Sequence, residues 1–117
     1  MDITEKSSGA VTVLDLNGRL VAGEGTQRLK DKVNSLVFQK RAQIVLNLGS
    51  VSHIDSTGLG EIVACLTTVT KGGGKLKLAN VANRNQDLLS ITKLATVFET
   101  FDSEADAVRS FGAAAGA

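Results

Sequence analysis

Ser56 is the side chain with the clearest chemical opportunity in this chain, a hydroxyl inside the run DSTGLG formed by Asp55, Ser56, Thr57, Gly58, Leu59 and Gly60. The run falls where an apolar segment gives way to an amphipathic one. Ile44, Val45, Leu46 and Leu48, bounded by Gly49, read as a short strand covered on both faces, as in a parallel sheet. Past Ser56, the residues Leu59, Ile62, Val63 and Leu66 recur at helical spacing, which predicts a helix with that stripe inward and Glu61 and Thr68 outward. The first N–H groups of a helix lack internal partners and its dipole favours negative charge. A phosphate on Ser56 would therefore sit at a local anion site.

The same residue types have a simpler use. Asp, Ser and Thr are preferred helix N-caps, so any of Asp55, Ser56 and Thr57 can accept a hydrogen bond from the first turn and do nothing further. Residue type alone favours that use. Gly58 and Gly60 argue against it, because each costs about 1 kcal/mol relative to Ala inside a helix. Close approach of another backbone, or a flat patch cleared for a partner, would explain them.

Other chemistries find little support. His53 has no second histidine to share a metal, and Cys65 has no partner for an internal disulfide, so neither a metal site nor a cofactor is expected. Cys65 reads as a buried reduced thiol and His53 as a loop residue. A serine hydrolase would need GxSxG with a histidine placed by an acid, and Ser56 is preceded by Asp55. DSTG carries one residue too many for the DTG or DSG of retroviral-type aspartic proteases, and the helix after it contradicts their all-β fold. The segment Gly72, Gly73, Gly74, Lys75 lacks the spacing of a phosphate-binding loop. No enzymatic activity is expected.

The elements that must position Ser56 follow from pattern. A chain of 117 residues with 43% hydrophobic content makes one domain around one core. Asp2 to Glu5 and Val11 to Leu16 read as an antiparallel start, with Asn17 and Gly18 as a turn. Gly23, Glu24 and Gly25 read as a flexible loop before Thr26, followed by a helix carrying Leu29, Val33, Leu36 and Val37 inward. Gly72 to Gly74 would stop the second helix, and Leu76 and Leu78 alternate with Lys75 and Lys77 as a half-exposed strand. A third helix is expected over Gln86 to Thr92 and a last strand over Ala95 to Phe98. Ser103 would then cap a terminal helix through Ala105, Val108 and Phe111. Strands alternating with helices imply parallel crossovers, so the fold class is α/β, a mixed sheet of about five strands with about four helices.

A net charge of +1 makes no case for nucleic acid. Lys71, Lys75 and Lys77 come nearest to a basic patch, but with no Tyr or Trp they read as a solvated helix end and strand face. No apolar run approaches the ~20 residues that span a bilayer. The start MDITEKSSG lacks the order of a signal peptide, so the expected location is cytoplasmic.

The segment IVLNLGSVSHIDSTGLGEIV, Ile44 to Val63, followed by a glycine-rich helix end and KLKLAN, resembles the STAS domain of bacterial anti-sigma-factor antagonists. The resemblance runs from about Val11 to about Phe111, within a single STAS-like domain over residues 1–111 and a disordered tail over 112–117. It implies that Ser56 is the phospho-acceptor, with Thr57 a lesser candidate. It also implies two partners: an anti-sigma-factor serine kinase of the histidine-kinase-like ATPase type, and a metal-dependent serine phosphatase. The unphosphorylated domain would capture the kinase and so release a sigma factor. The expected contact surface joins Ser56, Leu59 and Gly60 to Gly23, Glu24, Gly25 and Thr26, where the chain departs from the acidic segment usual in the sporulation and general-stress branch. No direct nucleic-acid contact and no membrane insertion are implied, and self-association stays open. The competing reading is a non-switching subunit or scaffold of a larger signalling or lipid-transport assembly.

Overall fold

The computed structural model of the chain describes residues 2–81 and 99–111. In chain order these form β1 (Asp2–Ser8), β2 (Val11–Leu20), α1 (Glu24–Phe38), β3 (Gln43–Ile54), α2 (Ser56–Lys71), β4 (Lys75–Ala79), β5 (Thr100–Phe101) and α3 (Glu104–Ser110). The five strands make one sheet in the order β1-β2-β3-β4-β5, in which β1 is antiparallel to β2 and every other pairing is parallel.

Alternation along the strands feeds two cores. Leu14 and Leu16 of β2, Ile44 and Leu46 of β3, and Leu76 and Leu78 of β4 face one side, where Leu29, Val33 and Leu36 of α1 and Leu59, Ile62, Cys65 and Val69 of α2 close over them. Val11, Val13, Val45 and Ala79 face the other side and meet Ala107 and Phe111. β2 and β3 are thus covered on both faces, which is why Ile44, Val45 and Leu46 can all be apolar in succession.

Several boundaries differ from the sequence reading. β2 does not turn at Asn17 and Gly18 but continues to Leu20, absorbing them with register shifts between Asp15 and Asn17 and between Gly18 and Arg19. β3 likewise runs through Gly49 to Ile54, so His53 lies on a strand opposite Arg19 rather than in a loop. Glu24 and Gly25 belong to the first turn of α1, not to a loop. In α2 the deeply buried positions are Leu59, Ile62, Cys65 and Val69, whereas Val63 and Leu66 are only partly covered and Glu61 and Thr68 are half-buried. In α3 Ser103 caps as expected, accepting from Asp106 N–H at 3.1 Å, but Ala107 and not Ala105 points inward.

Lys77 is the largest departure. It was expected on a solvated strand face, yet its side chain is only 5% exposed, paired with Glu99 at 3.0 Å. Its ammonium also donates to Ser110 Oγ at 2.9 Å and sits 4.4 Å from the centre of the Phe111 ring. Aromatic faces attract such a cation, so Lys77 ties α3 to the sheet. The described residues hold three helices. The helix expected over Gln86 to Thr92, the strand over Ala95 to Phe98 and the tail over 112–117 lie outside them. Among the described residues no helix is long and apolar enough to cross a membrane.

The two glycines of the first turn of α2 have opposite surroundings. A Cβ at Gly58 would meet the carbonyl oxygen of Leu20 at 2.0 Å, while one at Gly60 would meet nothing within 4 Å. Gly58→Ala should therefore destabilise by about 2 kcal/mol or more, because backbone has to give way. Gly60→Ala should leave stability unchanged or raise it by up to about 1 kcal/mol through helix propensity. Urea denaturation of both variants checks the pair, and equal midpoints would refute the close approach.

Candidate functional site

The C-terminal ends of β2 and β3 lie side by side, and each strand is followed by a helix, so the N-termini of α1 and α2 open at the same edge of the sheet. In open parallel sheets this is the edge where ligands and partners are met. Asp55 organises it. Its backbone is extended, and its N–H donates to Leu20 O at 3.3 Å. Its carboxylate accepts from Gly58 N–H at 2.7 Å through Oδ1 and from Ala22 N–H at 3.2 Å through Oδ2. One side chain thereby caps α2 and binds the segment that leads into α1.

Hydrogen bonding to the charged form holds the Asp55 carboxyl below the usual aspartate range. The Gly58 N–H is the main cause, then Ala22; burial opposes them, and Thr57 and the nearby His53 add lesser effects in the same direction as the hydrogen bonds. Of the three candidates for the cap, Asp55 takes the role and leaves Ser56 and Thr57 exposed. No described residue holds the Ser56 hydroxyl. Gly60 is exposed one turn further along.

The other expected contact residues divide. Gly23 is exposed with φ 121°, a conformation that favours glycine, and it precedes α1 without a side-chain cap. Glu24 opens the helix and Gly25 is half-buried. Leu59 and Thr26 do not present side chains to a partner. Leu59 is 5% exposed and belongs to the main core, while Thr26 is 8% exposed and donates its hydroxyl to Gly23 O at 2.8 Å. Of the expected contact residues, Gly23, Ser56 and Gly60 are exposed.

The donors of the first turn are not all free. A phosphate on Ser56 was expected to use the free N–H groups of the first turn, but Asp55 already occupies the Gly58 N–H and lies against Thr57. The Gly58 N–H is therefore shared with Asp55 rather than free. Sequence reasoning missed Leu20 and Ala22, which act through backbone atoms and leave no residue-type signal. Cys65 is an inert neighbour, since burial and then Glu61 push its thiol up to about 12.

Because the folded-state pKa of Asp55 is depressed, its contribution to stability is full above the unfolded value of about 3.9 and is lost as pH falls through the lower folded value. Asp55→Asn should unfold at lower urea than wild type at neutral pH. The gap should close as the pH drops below about 4. Parallel urea midpoints for the two proteins across the acid range would contradict this account of the cap.

A family model described as the STAS domain matches residues 3–107. The Anti-sigma-B factor antagonist of Bacillus subtilis (strain 168) is 39% identical over 71 residues, which cover 61% of this chain and 64% of that protein. The chain spans less than two thirds of the length of the curated relatives it matches. The crystal structure of a Thermotoga maritima protein, classed as a candidate anti-sigma factor antagonist, superposes with a TM-score of 0.85 at 27% identity over 92% of each chain. The anti-sigma factor antagonist SpoIIAA in its unphosphorylated form superposes with a TM-score of 0.72 at 19% identity over 95% of this chain and 99% of that one, a likeness of fold. With its mixed five-stranded sheet and a family match over nearly its whole length, this chain belongs to the STAS domain family.

Proposed function

We propose that this chain is an anti-sigma-factor antagonist that works as a binding module switched at Ser56. In the unphosphorylated form it captures an anti-sigma-factor serine kinase of the histidine-kinase-like ATPase type, which frees a sigma factor. Phosphorylation of Ser56 by that ATP-dependent kinase ends the capture, and a metal-dependent serine phosphatase restores it. The observation that carries this reading is the exposed Ser56 hydroxyl at the start of α2, beside an Asp55 that has already taken the cap. Membership of the STAS family supports it, as do relatives named anti-sigma factor antagonists.

The physical effect of the modification follows from the occupied helix terminus. A phosphoserine adds about −1.5 to −2 charge, beside the Asp55 carboxylate. With the Gly58 N–H engaged by Asp55, that charge adds to the exposed positions Ser56, Gly60 and Gly23. The block is steric and electrostatic and needs no refolding of the sheet.

Mass spectrometry after incubation with a candidate kinase and ATP should locate the phosphate on Ser56, with Thr57 a minor site at most. In titration calorimetry against the kinase, Ser56→Ala should bind like the unmodified protein and resist inactivation. Ser56→Asp should bind about tenfold more weakly or worse, a loss of about 1.4 kcal/mol. Gly60→Arg should abolish binding while the domain stays folded, since an exposed helix position tolerates Arg. Equal affinities for all of these proteins would place the contact elsewhere and favour the non-switching scaffold.

A further inference from the structure

The turns that lead into β2, β3 and β4 lie together at one end of the sheet, because these three strands are parallel. They comprise residues 9–10, 39–42 and 72–74. The last two turns are packed on each other. A Cβ at Gly72 would meet Val37 Cγ1 at 2.6 Å, a Cβ at Gly74 would run into the Ala42 carbonyl, and Lys75 N–H donates to Ala42 O at 2.9 Å. Phe38, Lys40, Lys71 and Lys75 are therefore carried by one joined pair of turns, and all four are exposed.

Charge at this end has one sign. None of the three turns holds an Asp or Glu. Among the described residues Lys40, Lys71 and Lys75 form no ion pair, whereas Arg41 is engaged by Glu5 and, further along the sheet, Glu99 is held by Lys77. Phe38 is 88% exposed, the one large hydrophobic side chain of the described residues that stands in solvent. A single exposed apolar residue is ordinary, and cations near helix C-termini complement the helix dipole. The dipole gives no use for the ring, however, and its company of three unpaired lysines sets it apart.

We propose that this end of the domain is a docking surface for an anionic lipid bilayer, with Phe38 entering the headgroup layer and Lys40, Lys71 and Lys75 meeting the phosphates of anionic lipids. Aromatic rings settle at that level, and each lysine near the surface adds attraction to an anionic leaflet. Residue type favours lipid over a protein partner, since interfaces between proteins favour Arg and are depleted in Lys. Shape agrees, because residues 72–74 are all glycine and put no side chain between Lys71 and Lys75 to hold a broad surface away. Orientation follows from the fold. β3 runs twelve residues from this end to Ile54, so a docked chain turns Ser56 away from the lipid, and the docking does not depend on the switch.

The test is cosedimentation of the full chain at low salt with vesicles of phosphatidylcholine alone and of phosphatidylcholine mixed equally with phosphatidylglycerol. The mixed vesicles should bind at least about tenfold more tightly, and salt at about 1 M should release the chain. Lys71→Gln and Lys75→Gln should each weaken binding about fivefold, and Phe38→Ser about tenfold. Arg19→Gln removes the same charge from an exposed position at the far end of β2 and should stay within about twofold of wild type. Equal binding to both vesicles, unchanged binding of Phe38→Ser, or a loss in Arg19→Gln as large as in Lys75→Gln would overturn the proposal. Absence of binding to the mixed vesicles would also overturn it and leave the surface to an acidic protein.

Discussion

The carbonyl oxygen of Leu20 fixes one end of the molecule, because two parts of the Asp55–Gly60 run close on it. It accepts the Asp55 N–H, and it lies so near the Gly58 Cα that no side-chain carbon fits between them. The Asp55 carboxylate then spans from the first turn of α2 to Ala22. Three constraints converge within a few residues, and each removes freedom from the start of α2. The Ser56 hydroxyl consequently stands exposed at a defined place at the start of α2. Precision comes from the buried side of the turn.

A second anchoring problem is solved at the opposite end of the strands. α3 is only seven residues long and offers Ala107 and Phe111 as its apolar contribution. A helix so short has little stability of its own. Lys77 compensates by reaching from the sheet to Glu99, to Ser110 and to the faces of Phe101 and Phe111. Burying an ammonium costs free energy unless it is paired and hydrogen-bonded. Here Glu99, just ahead of β5, supplies the pairing and Ser110 of α3 the hydrogen bond.

What the sequence disclosed and what it hid divide along one physical line. Position along the chain was legible: the strand through Ile44 to Leu48, the helix opening at Ser56 and the cap at Ser103 each follow from periodicity and capping preference. Contacts between distant segments were not. Gly58 and Gly60 look alike in sequence, but only Gly58 faces Leu20. Asn17 and Gly18 have the composition of a turn, yet β2 carries them because β3 pairs along its length and the register shifts take up the irregularity. Lys77 alternates with Leu76 and Leu78 as a solvated residue would, and only the arrival of α3 buries it. Leu59 was assigned to the surface by its place in the motif, whereas the helical stripe it heads is the better guide and sends it to the core.

The two margins of the sheet also differ from its middle. β1 is the long outer strand, and successive residues Glu5 and Lys6 project to its opposite faces. Glu5 is held by Lys32 and Arg41, each at 2.8 Å, and Lys6 by Asp15 and Glu104. β5, at the other margin, is two residues long. An outer strand with free peptide groups is a template on which another chain can add itself, the first step toward fibrous aggregation, and charges or brevity at the margin oppose that step. Adding a strand to β1 would crowd two engaged ion-pair networks. The domain can therefore leave Ser56 exposed at one end without also offering, at β1, an outer strand that invites its own copies to polymerise along the sheet.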